Sequence, residues 1–260
     1  MANTDILKEL SAQIENNPEL SQTDKQRLHN NILKLSEQKM NILITGATGC
    51  GKSSTINALF MKEQATVGTD PTPETMDINY YELDNLIIWD SPGLGDGKEA
   101  DERHAKNIIK LLKEKDKKDT SKYLIDLVLV ILDGSTRDLG TSYDLINNVI
   151  IPYIGNSKRI LVAVNQADAA MKGKYWNEKT CLPEPQLIEF LDKKVESIKK
   201  RIKEATKVSV SPIYYSAGYK EPGLPQSPPY NISKLMYYII SNTCCRSRSC
   251  SHRTVVKKKD

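Results

Sequence analysis

A glycine-rich segment at residues 46–53 constrains the fold of this chain more than any other feature. It reads Gly-Ala-Thr-Gly-Cys-Gly-Lys-Ser and lies between an apolar run at 41–45 and a helix-like sequence at 54–60. The spacing G-x-x-x-x-G-K-[ST] between a strand and a helix is that of a phosphate-binding loop. Glycines let the backbone wrap closely around an anion, and the following helix directs its positive dipole end to the same point. A flexible Gly/Lys loop, the alternative, would not explain the flanking strand and helix.

The residue types in this loop predict a division of roles. Lys52 is expected to bridge the β- and γ-phosphates of a nucleotide, and the Ser53 hydroxyl is expected to ligate Mg²⁺. The predicted nucleotide-binding residues of this segment are Gly46, Ala47, Thr48, Gly49, Cys50, Gly51, Lys52, Ser53 and Ser54.

Strands and helices alternate through residues 40–241, the predicted catalytic domain. Predicted strands lie at 41–45, 76–82, 86–89, 124–132, 159–164 and 208–215, and predicted helices at 101–113, 143–151, 188–202 and 232–240. This alternation predicts an α/β, three-layer sandwich with a mostly parallel six-stranded sheet and helices on both faces.

The two ends of the chain are predicted to be extensions of this domain. Residues 1–39 read as a helical hairpin, which either packs on the domain or recruits a partner. The tail at 242–260 contains three of the five cysteines and six basic residues against one acidic residue. It is expected to be a disordered end, with peripheral membrane contact, zinc binding and RNA contact as the alternatives.

The sequence predicts no membrane span and a cytoplasmic protein. The most apolar run, 124–132, is too short to cross a bilayer and contains Asp126. The N-terminus has Asp5 and Glu9 where a signal peptide would need a basic end and a long apolar core. An odd number of cysteines without a signal peptide fits a reducing compartment.

A second motif, Asp90-Ser91-Pro92-Gly93, follows the strand predicted at 86–89. Ligands of open α/β sheets bind beyond the carboxyl ends of strands, where Asp90 supplies a carboxylate for a nucleotide-bound Mg²⁺. The N–H of Gly93 could donate to the γ-phosphate. Alone this pattern indicates a turn, but downstream of a phosphate loop it favours the functional interpretation.

Two further strand-end motifs point to the base of the nucleotide. Asn165-Gln166-Ala167-Asp168 offers a carboxylate that can accept from the N1–H and 2-amino groups of guanine, with Asn165 tying this loop to the phosphate loop. Ser216-Ala217 offers the N–H of Ala217 to guanine O6. A helix cap at Asp168 and a plain turn at Ser216 are the alternatives.

With these motifs in this order, residues 40–241 resemble a P-loop NTPase of the translation-factor class of GTPases, nearest the Era-like branch. The phrases GKSS-x-x-NALF and WDSPGLGDG are shared with bacterial and prophage-encoded Era-like GTPases. The resemblance implies GTP hydrolysis with Mg²⁺, a GTP/GDP switch, and catalytic roles for Lys52 and Gly93. It also implies a catalytic, Mg²⁺-ligating threonine before the second strand, for which Thr75 is preferred and Thr72 is the runner-up.

The chain departs from this family at two positions. Gln166 replaces the usual lysine, so guanine selectivity is expected to persist through Asp168 at weaker affinity. Leu94 stands where many signalling GTPases carry a water-orienting glutamine, and Asp96, His104 and Glu74 are the candidate replacements. Some Era-like GTPases hold potassium with an asparagine at the position of Gly49. Slow hydrolysis with little gain from potassium is therefore expected.

The partners implied are a guanine nucleotide, an unidentified protein effector and a second copy of the chain. The alternative function is a GTP-gated module that assembles on itself, a membrane or a partner with negligible turnover of its own. Era adds an RNA-binding domain after its GTPase domain, and the tail at 242–260 is too short for one. Ribosome or RNA binding is therefore not supported by a dedicated domain.

Overall fold

The computed structural model describes residues 11–12, 14–18, 20–60, 66–67, 78–83, 85–219 and 226–243. The strands are β1 (Met40–Gly46), β2 (Thr66–Val67), β3 (Asn79–Leu83), β4 (Leu86–Asp90), β5 (Leu127–Asp133), β6 (Ile160–Asn165), β7 (Trp176–Asn177), β8 (Leu182–Pro183) and β9 (Ile213–Tyr214). The α-helices are α1 (Gln22–Glu37), α2 (Lys52–Leu59), α3 (Lys98–Lys113), α4 (Gly140–Asp144), α5 (Ile151–Ile154), α6 (Pro185–Thr206) and α7 (Ile232–Ser241). A π-helical segment, Leu145–Ile150, joins α4 to α5, and 3₁₀ turns lie at Ser157–Arg159 and Ala170–Gly173.

The main sheet has the strand order β2-β3-β4-β1-β5-β6-β9. Strands β4, β1, β5, β6 and β9 run parallel, whereas β2 and β3 are antiparallel additions at one edge. The predicted, mostly parallel six-stranded sheet is confirmed, and the two-residue β2 extends it to seven strands. The central position of β1 places its carboxyl end, where the phosphate loop starts, between the ends of β4 and β5.

Three of the predicted strands are shorter than expected, and the one predicted at 76–82 begins at Asn79. The strand predicted at 208–215 is reduced to β9, because Pro212 has no N–H to donate and breaks the ladder before Ile213. The strand predicted at 124–132 begins at Leu127. Before it, the backbone N–H of Asp126 donates to the carbonyl of Asn41 at 2.8 Å, whereas the N–H of Asn41 is accepted at 2.9 Å by the Asp126 carboxylate instead of by a backbone carbonyl.

Hydrophobic side chains fill both faces of the sheet. One layer contains α3, α6 and the helical stretch 140–154, and the other contains α1, α2 and α7. Every apolar residue of β5 is buried, as expected for a parallel strand covered on both faces. This arrangement is the predicted three-layer sandwich.

Helix α1 packs on α7 in the second layer. Ser21 caps its start by accepting the N–H of Asp24 at 3.1 Å. Leu28 and Ile32 join the same buried cluster as the apolar side of α7, and the Asn31 amide donates to the carbonyl of Ile240 at 2.9 Å. Within the described ranges, none of the helices is long and apolar enough to cross a bilayer.

Candidate nucleotide-binding site

The phosphate loop connects the end of β1 to the start of α2, as the sequence predicts. Gly51 caps α2 in a left-handed conformation with φ +86°, which a residue with a Cβ rarely adopts. A Cβ on Gly46 would lie 2.9 Å from the Cys50 sulfur, and one on Gly51 would overlap the amide of Asn165. These glycines therefore provide the space that tight packing of the loop requires.

The side chain of Lys52 lies against this loop. It is 9% exposed, and its ammonium donates to the carbonyl of Ala47 at 3.0 Å and to that of Gly46 at 3.3 Å. A positive charge held at the amino end of a helix favours a bound anion.

Asp90, at the end of β4, is brought next to Lys52 and Ser53. Its carboxylate accepts a hydrogen bond from the Ser53 hydroxyl, and burial raises its pKa from 3.8 to about 6, although Lys52 and this hydrogen bond oppose the rise. Its Oδ1 atom is buried and has no hydrogen-bond partner among the described residues. An unsatisfied carboxylate oxygen beside a serine hydroxyl fits a hard cation such as Mg²⁺.

The buried carboxyl of Asp90 makes a pH-dependent contribution to the stability of the ligand-free protein. Its folded pKa of about 6 exceeds the unfolded value of 3.8, so the folded state is favoured at low pH and loses up to about 3 kcal/mol as the pH rises through 6. Asp90→Asn is therefore expected to increase the free energy of unfolding at pH 7.5, with the gain vanishing near pH 4. Urea unfolding at both pH values measures it.

The matched control is Asp144→Asn, which neutralises an exposed carboxylate on α4 and should change stability by less than about 0.5 kcal/mol at either pH. An Asp90→Asn variant less stable than the wild type at pH 7.5 would contradict the expectation.

The loop after Asp90 lies directly across the phosphate loop. The N–H of Thr48 donates to the carbonyl of Leu94 at 2.8 Å, and the N–H of Leu94 donates to that of Gly46 at 3.3 Å. A Cβ on Gly93 would lie 2.6 Å from Cα of Thr48, so only glycine permits this approach. The sequence motifs did not indicate that the two loops pair through their backbones.

Two of the three candidate water-orienting side chains are bonded to these loops. Asp96 accepts the hydroxyl of Thr48 at 2.8 Å, and His104 Nδ1 lies 2.9 Å from the carbonyl oxygen of Gly93. Both therefore support the loops through hydrogen bonds, a role that their sequence spacing did not indicate. The third candidate, Glu74, lies outside the described residues, as do the candidate metal ligands Thr72 and Thr75 and the tail from 244.

Asn165, at the end of β6, joins the fourth motif to the phosphate loop as predicted. Its amide nitrogen donates to the carbonyl of Cys50 at 3.0 Å, and its Oδ1 accepts the N–H of Ala217 at 2.9 Å. The side chain is 2% exposed, so both bonds are shielded from water. Gln166, with φ +60°, also reaches this loop and donates to the carbonyl of Gly49 at 2.8 Å.

Ala217 is predicted to donate its N–H to guanine O6. In this structure the same N–H donates to Oδ1 of Asn165 at 2.9 Å. The buried Asn165 amide lies between the two loops, and the N–H is the donor that satisfies its oxygen. Ser216 forms a turn in which its hydroxyl accepts the N–H of Gly218 at 3.1 Å.

Asp168 is placed in the loop that Asn165 holds. Its Oδ1 is buried, and nothing in the described part of the chain hydrogen-bonds to it. The neighbouring Ala167 N–H donates to the carbonyl of Tyr215 at 3.1 Å, which fixes this loop beside the fifth motif. An orphaned carboxylate oxygen here suits a ligand with paired N–H donors, such as guanine.

One further residue contacts the site without any signal in the sequence. The carbonyl of Ser54, in α2, accepts the side-chain amide of Gln226 at 3.1 Å. Gln226 lies nine positions after Ala217 and belongs to no recognised pattern.

Known proteins to which this chain is similar include GTPases. A family model described as "50S ribosome-binding GTPase" matches residues 41–166, which include the phosphate loop, the Asp90 motif and Asn165. The tRNA modification GTPase MnmE of Mycoplasmoides gallisepticum is 33% identical over 169 residues, which cover 63% of this chain and 34% of that protein. The Translocase of chloroplast 125 of Physcomitrium patens is 37% identical over 107 residues, which cover 38% of this chain and 9% of that protein.

The chain thus spans about a third of the length of the first of these relatives and less than a tenth of the second. Among solved structures, Toc33 from Arabidopsis thaliana in complex with Mg²⁺ and GMPPNP is 18% identical. The alignment has a TM-score of 0.52 and covers 91% of this chain and 97% of Toc33. This likeness shows a common fold.

Proposed function

We propose that this chain carries a P-loop GTPase domain that binds and hydrolyses GTP, and that it works as a Mg²⁺-dependent molecular switch. The observation that supports this most directly is a pair of buried carboxylate oxygens with no partner in the described structure, one on Asp90 and one on Asp168. Asp90 lies beside Ser53 and Lys52, whereas Asp168 lies in the loop that Asn165 ties to the phosphate loop. One orphaned oxygen fits a cation and the other fits a guanine base.

The proposed roles follow from these positions. Ser53 and Asp90 would hold Mg²⁺, with Thr75 as the preferred further ligand and Thr72 as the runner-up. The bound metal would neutralise charge on the β- and γ-phosphates. Lys52 would contact the same phosphates, and the N–H of Gly93 would respond to the γ-phosphate.

We also propose that the domain is of the Era-like type and occupies residues 40–241, with a helical extension at 1–39 and a tail at 242–260. The phrases GKSS-x-x-NALF and WDSPGLGDG support this subtype. We also propose a cytoplasmic location, because an odd number of cysteines fits a reducing compartment.

Hydrolysis by the isolated chain should be slow because, within the described residues, no side chain near Gly93 is available to orient the attacking water. Leu94 has no polar side-chain atom and is 6% exposed, whereas His104 and Asp96 are bonded to Gly93 and Thr48. A group supplied from outside would therefore be needed for fast turnover. Dimerization is important for the GTPase activity of the chloroplast translocon components atToc33 and psToc159, which supports self-association as the alternative route.

Measuring phosphate release at increasing protein concentration distinguishes slow hydrolysis by the single chain from hydrolysis that self-association accelerates. We expect kcat well below about 1 s⁻¹, a rate per molecule that does not depend on concentration, and little difference between potassium and sodium. A rate per molecule that increases with concentration would favour the self-assembling module. Fast turnover by dilute monomer would show that the chain contains a catalytic group of its own.

A further inference from the structure

The segment 226–230, which precedes α7, encloses the fifth-motif loop 216–219. Ser216 and Tyr230 exchange two backbone hydrogen bonds, at 3.0 and 2.9 Å. Ser227 donates its N–H to the carbonyl of Tyr219 at 2.8 Å, and its hydroxyl accepts the N–H of Tyr219 at 2.7 Å. The fifth-motif loop is therefore fixed by local pairing at both of its ends.

Gln226 makes a different kind of contact, because it connects this loop to the helix of the phosphate loop. Its amide nitrogen donates to the carbonyl of Ser54 in α2 at 3.1 Å and also to the carbonyl of Ala217. An amide NH₂ has two hydrogens, so these two carbonyls use its full donor capacity. The side chain is partly buried, which makes the loss of either bond costly.

Both backbone polar groups of Ala217 are therefore hydrogen-bonded to side-chain amides. Asn165 accepts its N–H and reaches the phosphate loop through Cys50, whereas Gln226 donates to its carbonyl and reaches α2 through Ser54. Two side-chain amides on separate segments thus hold one residue at a set distance from the phosphate loop.

We propose that Gln226 is a positioning residue for guanine-nucleotide binding. It holds the fifth-motif loop against the phosphate-loop helix, so that the base contacts and the phosphate contacts have the spacing of a single nucleotide. The inference rests on the proposed function and adds a determinant that touches neither base nor phosphate itself. Its loss should therefore affect ligands that contain a base and spare ligands that contain only phosphates.

The test compares Gln226→Glu with the wild-type full-length chain. A glutamate has nearly the same shape but presents a carboxylate, which cannot donate, to two carbonyl oxygens. We expect release of a fluorescent GDP analogue to accelerate roughly tenfold, as the loss of two partly buried hydrogen bonds predicts. Binding of Mg²⁺–tripolyphosphate, a probe without a base, should change by less than about twofold.

Two further variants make the comparison specific. Gln226→Met removes both donors without adding charge and should show the same separation between GDP and tripolyphosphate, which keeps the test decisive if the glutamate variant does not fold. Gln26→Glu places the same substitution on an exposed position of α1 and should release GDP at the wild-type rate.

Each outcome bears on a different claim. A wild-type chain that binds no GDP would overturn the proposed function. Wild-type binding with unchanged release from both Gln226 variants would overturn the positioning role. Equal weakening of GDP and tripolyphosphate would also overturn it, because it would show that Gln226 only stabilises α2.

Discussion

Lys52→Ala is expected to weaken binding of GTP and GDP by about two orders of magnitude or more. Lys52 is 9% exposed and its ammonium is bonded to the carbonyls of Ala47 and Gly46, so its charge is held at the phosphate loop. A charge-assisted contact to phosphate in a partly dry site contributes about 1.5–3 kcal/mol, and several phosphate oxygens can share one ammonium. Isothermal titration calorimetry with each nucleotide measures the loss.

The control for this substitution is Lys106→Ala, which removes an exposed lysine of α3 and should leave both affinities unchanged. Ser53→Ala makes a useful companion, since its effect should be large with Mg²⁺ and small without it. If Lys52→Ala and Ser53→Ala both bind GTP like the wild type, the loop is only a structural turn and GTP binds elsewhere on the chain.

Asp168→Asn is expected to move base preference from guanine towards xanthine. The wild-type carboxylate can accept the N1–H and 2-amino hydrogens of guanine, whereas the asparagine amide can donate to the 2-oxo group of xanthine. A buried polar group facing the wrong base costs about 1–3 kcal/mol, so GTP affinity should fall by about tenfold to a hundredfold while XTP affinity rises. Competition binding with GTP, XTP and ATP reports the change.

Gln166→Lys is the matched control because it restores the residue usual in the family without changing the carboxylate. It should keep the preference for guanine, and any gain in affinity would apply to guanine nucleotides. Equal binding of ATP and GTP by the wild-type chain would contradict the assignment of Asp168 as the base-reading residue.

The parts of this structure that the sequence predicts are those with short-range signals. The glycine spacing at 46–53 and the polar motifs at the ends of β4 and β6 depend on neighbours along the chain, and strand–helix alternation indicates the sheet. The acceptor of the Ala217 N–H could not be predicted from neighbouring residues. It is Asn165, a residue 52 positions earlier in the chain.

Gln226 was missed for a related reason. A single glutamine in a proline-containing loop has no periodicity, and its two acceptors belong to segments that only the folded chain brings together. The shortening of β9 can be predicted from the sequence, because a proline such as Pro212 has no N–H to donate to a neighbouring strand.

The backbone pairing between Leu94 and the phosphate loop would couple nucleotide binding to the binding of any partner that contacts only the separated loops. As long as the N–H of Thr48 donates to Leu94, it is not available to an anion, and the Thr48–Asp96 hydrogen bond must also break when the loops separate. A protein that captures the separated loop would increase nucleotide affinity by some factor. Thermodynamic linkage requires the nucleotide to increase the affinity for that protein by the same factor.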